Sequence, residues 1–475
     1  MSEQNKIKNI FNKLKVIGQA ISRVKGNNTH SGNLAVRDPE DEDIFYTTAT
    51  GAQCGALVPE DIVPIHFSSV SWGDARGSTE STIHRKILSL AGINASMHAH
   101  FQNTTFISFD TKEKQLFLCF LGQDEKGRDK FAFHPIDAFG AFAIGEVRVD
   151  DFFQPVGSTE MEERIPKYLA ENFITIVKGH GPFVRGCSPE ELLYRASVLE
   201  SSATLAINLR RRGIDIVQIQ KSITSQGIEN FFPVKVHQLD FNSAGEKQVQ
   251  DPTVLFDFKQ RLNYNYDNEI SAYGTGSMSQ KISAEQMIYC PSSAVPEGLD
   301  FQLYRKKIEF EDGDSTDLKI HKLIYRMTQQ NTCMITINPV ITAEAMALLA
   351  EQFGIDVLLG KKTDIKYTDK SHPVIVPIDA EAKYLNPRLG LVDIHQLTNM
   401  TADNPILNML RWYKGCCVVS GYGVISTGKT TLEQAAHNAS SAERIGRFRI
   451  EAYINEKLLG GPDVKLFEPK RKKNE

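Results

Sequence analysis

The chain has 475 residues, more than one hydrophobic core ordinarily organises, so two domains are expected. Hydrophobic residues make up 41% and charged residues 24%, which excludes a disordered chain, and a formal net charge of −4 gives no global electrostatic reason to bind nucleic acid. No stretch of about 18 apolar residues occurs, so no membrane span is expected.

The opening "MSEQNKIKNIFNKLK" has no apolar signal region. The seven cysteines contain no C-x-x-C pair, and Cys416 and Cys417 are adjacent, which argues against a disulfide framework. Together these features predict a cytoplasmic protein.

Along the chain, each half reads as helix, short strands, helix, more strands and a closing helix, a mixed α/β order without regular βαβ alternation. "GSTESTIHRKIL" from Gly77 places a Ser-Thr-acid triplet before a helical apolar pattern, and the hydroxyls suit a helix start. "SMHAHF" follows, with His98 and His100 two apart. On a strand such residues point to one side, so two imidazoles could hold one metal. His180 stands between glycines in "KGHGP", where the backbone can turn sharply. Three histidines with an open position compose a catalytic zinc site, and Glu80 is the candidate acid–base group or fourth ligand. His134 is expected to be structural. "LLYRASVLESSATLAINLRRRG" after Glu191 has helical periodicity.

The polar stretch Asp240 to Pro252 has the composition of a linker. It separates an expected first domain over 1–235 from a second over 252–465, with a basic tail over 466–475 that holds "KRKK". The second half repeats the first weakly, at an offset of roughly 240 residues. "HSGNLAVRD" from His30 pairs with "YGTGSMSQK", "YTTATGAQCGAL" from Tyr46 with "IYCPSSAVPEGL", and the Ser-Thr-acid triplet with "DSTDLKIHKLIY" from Asp314. "VKGHGPFVRGCS" from Val177 pairs with "VSGYGVISTGKT" from Val419. That last segment matches G-x-x-x-x-G-K-[ST] from Gly423 to Thr430, the pattern of a phosphate-cradling loop. The first half has the same glycines with Cys187 in place of Lys429, so the match is read as a tight hairpin turn, with Thr430 or Thr431 capping the next helix. In this pairing Asp317 replaces Glu80, Thr336 and Asn338 replace the His98–His100 pair, and Tyr422 replaces His180, while His84 and His321 are kept. A metal is therefore expected in the first half only.

The ordered set "SGNLAVR", "TATG", "STE", "HAH" and "GHG" over about the first 215 residues resembles the class II aldolase/adducin family, most closely its L-fuculose-1-phosphate aldolase type. The second half resembles a degenerate member. The resemblance implies two tandem domains of three-layer α/β type, each with a central, mainly antiparallel sheet flanked by helices. It implies Zn2+ on His98, His100 and His180, one per chain, although the donor set also suits Mn2+, Co2+ or Fe2+. It implies Glu80 as general acid/base and Gly32, Asn33, Thr50, Gly51, Ser78 and Thr79 as the pocket for a substrate phosphate. The implied activity is that of a metal-dependent aldolase, a lyase that cleaves or forms a C–C bond in a sugar phosphate through a metal-stabilised enediolate. A sugar-phosphate epimerase using the same intermediate and a non-enzymatic, adducin-like scaffold stay open. The family implies a small-molecule sugar phosphate and a homo-oligomer as partners, with no nucleic acid or membrane. The family's proton-donating tyrosine is not assignable among 14 tyrosines, and the sequence departs from the aldolase pattern between Phe101 and Pro155.

Overall fold

A computed structural model describes residues 3–23, 26, 31–68, 77–236, 249–268, 270–271, 276–292, 294, 303–362, 365–368 and 371–460. The expected linker falls largely outside the described residues, as do the basic tail, His30 and Tyr273. Among the described residues, strands form two sheets, of nine and eight strands.

The first sheet comprises β1 (Asn33–Arg37), β2 (Ile44–Thr48), β3 (Ile62–His66), β4 (Ala95–His98), β5 (Cys119–Gln123), β6 (Asp129–Phe133), β7 (Val147–Asp150), β8 (Ile174–Val177) and β9 (Gly181–Gly186). Their order across the sheet is β3-β2-β1-β4-β9-β8-β7-β6-β5. Only β7 and β8 are parallel; the other named neighbours run antiparallel. The second comprises β10 (Ser277–Lys281), β11 (Gln286–Cys290), β12 (Tyr304–Lys307), β13 (Thr332–Thr336), β14 (Val374–Ile375), β15 (Leu389–Val392), β16 (Cys416–Val419) and β17 (Gly423–Gly428). Its order, β12-β11-β10-β13-β17-β16-β15-β14, is that of the first sheet without an equivalent of β5, and β15–β16 is again the parallel pair.

The first sheet is buried on both faces, and the period of two along each strand divides its side chains. Leu34 and Val36 of β1 face one core with the helices Glu3–Arg23 and Pro189–Arg211. Ala35 faces a second core with Ile83 and Ile87 of the helix Ser81–Leu88 and Met161 and Ile165 of the helix Thr159–Glu171. This is the three-layer α/β arrangement that the sequence predicts.

The first of these cores runs on through both halves of the chain. The helix Pro189–Arg211 shows why. Ser188 caps it by accepting from Glu191 N at 3.3 Å, and arginines close its last turn. It is buried on nearly all sides, because it packs on its own sheet and on the helix Pro339–Phe353 of the second half. Between the halves, Glu344 pairs with Arg212 at 2.8 Å, and within the second half it pairs with Arg449 at 2.5 Å.

Two expectations are corrected. The Gly423–Gly428 stretch is not itself the hairpin turn but β17, fully buried and paired to β13 and β16; as expected, it offers no loop to wrap around a phosphate. The turn precedes it, with Gly421 at φ 64°. The next helix, Leu432–Tyr453, has Thr431 at its N-cap, but that side chain makes no capping bond; Gln434 Oε1 reaches back to accept from Thr430 N at 3.0 Å instead.

Candidate metal centre

Three imidazoles converge at one end of the first sheet. His98 ends β4, His100 lies two residues on, just past the strand, and His180 sits in the turn between β8 and β9. The chain can close there because Gly181 has no side chain: a Cβ on it would lie 2.1 Å from the Ala99 carbonyl oxygen. Ring centroids are 4.6 Å apart for His98 and His100, 4.4 Å for His98 and His180, and 4.8 Å for His100 and His180. One nitrogen from each ring lies within 4.8 Å of the others, and Nε2 of His98 and Nε2 of His180 are 3.2 Å apart.

The donor set fits a metal ion. His98 Nδ1–H donates to the Pro182 carbonyl at 3.0 Å, which leaves the Nε2 lone pair directed at the cluster. Burial, with His180 and His100 close by, holds the His98 pKa well below its ordinary value. Burial and His180, against an opposing pull from Glu80, bring His100 down to about 4, and burial, opposed by Glu80, lowers His180. Neutral imidazoles are the form that ligates a metal. Among the described residues, His180 Nδ1 and Glu80 Oε1 are buried with no hydrogen-bond partner.

Glu80 stands at the start of the helix Ser81–Leu88, its Oε2 3.9 Å from His98 Nε2. The Ser-Thr-acid triplet thus works differently in the two halves. Ser315 caps the helix Thr316–Met327 by accepting from Leu318 N, whereas in the first half the helix begins two residues later, at Ser81, and the Glu80 carboxylate turns into the site. Asn33 Nδ2 donates to Glu80 Oε2 at 2.8 Å, and Asn33 Oδ1 accepts from His84 Nε2 in a short hydrogen bond. His84 Nδ1 then accepts from Ser96 Oγ at 2.7 Å. Burial, opposed by Glu80, lowers the His84 pKa to about 4, so the ring stays neutral. Expected as a phosphate contact, Asn33 has its amide taken up between Glu80 and His84, leaving one N–H for a ligand. The kept His84 was the available sequence signal for this relay.

The remaining expected anion contacts lie just before β1, just after β2 and just before the helix Ser81–Leu88. Ala49 bridges Gly77, Ser78 N donates to Thr48 O at 3.1 Å, and Thr50 Oγ1 donates to Gly77 O at 2.7 Å. These bonds hold Thr50 and Gly51 beside Ser78 and Thr79, with Gly32 one residue before Asn33. Thr50, Gly51 and Thr79 are exposed. His134 lies apart, its ring 3.7 Å from Glu146.

Among the described residues of the second half the cluster is absent, but the substituted residues differ from those expected. Strand register pairs His98 with Phe183 and Ile335 with Ile425, while Gly181 abuts Ala99 as Gly423 abuts Thr336. Ile335 and Ile337 therefore stand at the His98 and His100 positions, one residue before Thr336 and Asn338. Thr336 instead donates to Asn338 Oδ1 at 2.5 Å, and Asn338 bonds the Ile270 carbonyl. Asp317 accepts from the Tyr289 hydroxyl at 2.6 Å, and Tyr422, at the His180 position, is buried against Phe139 of the first half, ring centroids 4.9 Å apart.

Residues 14–207 match the sequence model of the class II aldolase and adducin N-terminal domain. The first half of the chain is thus similar to the class II aldolase/adducin family. A methylthioribulose-1-phosphate dehydratase from Leptospira biflexa is 25% identical over 175 residues, covering 34% of this chain and 78% of that protein. Similar solved structures include L-fuculose-1-phosphate aldolase from Thermus thermophilus, with 22% identity, 43% of this chain and 95% of that one covered, and a TM-score of 0.36. A sugar-phosphate aldolase from Thermotoga maritima has 16% identity over 44% of this chain and 97% of its own, with a TM-score of 0.34. Among the described residues no helix is long and apolar enough to cross a membrane.

Proposed function

We propose that the first half is a divalent-metal-dependent lyase that cleaves or forms a carbon–carbon bond in a phosphorylated ketose. The convergence of three neutral imidazoles and the Glu80 carboxylate carries this reading. A zinc-like cation on His98, His100 and His180 would supply Lewis acidity to substrate oxygens. Glu80 moves the proton. Asn33 fixes its Oε2, and Oε1, which lacks a hydrogen-bond partner among the described residues, is the atom left to accept or return that proton. Gly32, Thr50, Gly51, Ser78 and Thr79, with the spare amide hydrogen of Asn33, hold the phosphate and anchor the substrate beside Glu80.

A second reading, loss of water from a phosphorylated ketose, is favoured by the likeness to the Leptospira dehydratase. Both reactions begin with a proton moved close to a carbonyl, so the products separate them. Incubation with phosphorylated ketoses should yield a shorter ketone phosphate and an aldehyde for the lyase, or a product lighter by one water for the dehydratase. Neither product with any phosphorylated ketose, in protein carrying stoichiometric metal, would refute both.

The second half, over 252–465, is on this reading a degenerate copy of the domain over 1–235. Its strand order and the isoleucines at the ligand positions support this.

A further inference from the structure

Two of the three proposed ligands, His100 and His180, lie beyond the ends of strands, yet their rings stand with centroids 4.8 Å apart. The short helix Gln102–Ile107 connects them. It begins two residues after His100, with Phe101 as its N-cap residue. Its start is fixed by Glu200 of the helix Pro189–Arg211, which accepts from Asn103 N at 3.0 Å, Thr104 N at 2.9 Å and Thr104 Oγ1 at 2.7 Å. Its end grips the turn that carries the other ligand. The Ser108 hydroxyl accepts from Gly179 N at 2.9 Å and donates to the Thr105 carbonyl at 2.6 Å. Thr105 Oγ1 donates to the His180 carbonyl at 3.5 Å. Ser108 is fully buried, so its hydroxyl makes both bonds inside the protein.

The second half serves as an internal control. Its helix Pro339–Phe353 has Asn338 as N-cap residue, and Asn338 follows Ile337 as Phe101 follows His100. A glutamate again fixes the start: Glu443 accepts from Ile341 N, the equivalent of Thr104 N, at 3.3 Å. The turn is alike as well. Gly421 has φ 64° against 69° for Gly179, and Tyr422 N donates to Val419 O at 3.1 Å as His180 N donates to Val177 O at 3.0 Å. The grip between helix and turn is what differs. Ala345 stands at the Ser108 position and offers Gly421 no hydroxyl. Thr342 stands at the Thr105 position, and among the described residues its Oγ1 is buried without a hydrogen-bond partner. Helix, glutamate and turn are thus kept in the half that lacks the histidines, and the serine is lost with them.

From this contrast we infer that Ser108 is a positioning residue of the metal centre. It ties the Gly179–Gly181 turn to the helix that follows His100, and so sets the separation of His100 and His180. Thr105 assists from the preceding turn of the same helix. Ordering a loose ligand costs free energy when the metal binds, and a ligand already held in place avoids that cost. The inference rests on the reading of the three histidines as a metal site.

The test is metal binding by the full-length chain, stripped of metal and then titrated with Zn2+ against a chromophoric chelator and with Co2+ followed by visible absorption. Ser108→Ala should weaken Zn2+ binding by about 10- to 100-fold and alter the Co2+ bands, with the circular dichroism of the wild type. Those bands report the arrangement of ligands around the ion, which a loss of stability alone does not move. Thr105→Val, which keeps the side-chain shape, should weaken Zn2+ binding by about three- to tenfold. Thr342→Val, the same exchange at the equivalent position of the second half, should leave it unchanged. Wild-type Zn2+ affinity and Co2+ bands in Ser108→Ala would overturn the inference. If Ser108→Ala does not fold, equal Zn2+ affinity in Thr105→Val and Thr342→Val would overturn it instead. A wild-type chain that binds neither ion stoichiometrically would sink the metal site itself, and the role of Ser108 with it; tight binding in the wild type with no change in the variants would sink the role of Ser108 alone.

Discussion

The Glu80 carboxylate is held between two unlike neighbours: Asn33 donates to its Oε2 at 2.8 Å, and His98 Nε2 lies 3.9 Å from the same oxygen. One oxygen is fixed and the other is left for chemistry. Glu80→Gln keeps the shape and removes the proton acceptor. Turnover of a phosphorylated ketose should fall by about 10²- to 10⁴-fold with bound metal retained. Steady-state kinetics beside metal analysis check this, and full activity in the variant would remove Glu80 from the mechanism.

Asn33 is a positioning residue. Asn33→Ala should cost about 10- to 100-fold in kcat with a smaller change in KM. It also strands His84 Nε2–H in a buried site, so stability should drop by about 1–3 kcal/mol. Kinetics and thermal unfolding report the two effects separately; an unchanged kcat would show that Glu80 needs no orienting partner.

Gly181 closes the turn that carries His180. With φ at 153° and the Ala99 carbonyl 2.1 Å from any added Cβ, Gly181→Ala should destabilise by about 3 kcal/mol or more. Gly92→Ala, at φ 74° in open space, should cost only about 1 kcal/mol. Urea unfolding of the pair measures the difference, and equal losses would contradict the close approach.

His84 and His321 are buried, and burial takes each pKa to about 4, opposed by Glu80 and Asp317 respectively. Both are neutral in the fold, while the unfolded chain binds protons below about 6.5. Stability is therefore unaffected above that value. It falls by up to about 1.4 kcal/mol per histidine per pH unit between roughly 6.5 and 4, and no further below. Since His321 bonds Ser277 and Ser279 at 2.8 and 2.6 Å, far from the metal ligands in sequence, His321→Gln should flatten this slope in unfolding midpoints taken across that range. A variant with the wild-type slope would contradict this.

Much of the site was legible because it is written in residue types that chemistry restricts. His98, His100, His180 and Glu80 stand out as a set, and their loss from the second half marks them as one unit. The basis for the pair was different, however: His100 lies past the end of β4, and the turn at Gly179–Gly181 completes the convergence. The one-residue error over Thr336 and Asn338 arose because short polar segments align equally well in two registers, which only strand pairing with β17 resolves. The Asn33–Glu80 bond was not legible because a side-chain amide suits an anion and a carboxylate alike; only the 2.8 Å distance shows it.

The most direct measurement of the central claim is metal per chain by elemental mass spectrometry, on wild type and His180→Ala purified without chelator. The account predicts about one zinc-like divalent ion per chain, lost in the variant. No stoichiometric metal in the wild type, or equal metal in both, would contradict it.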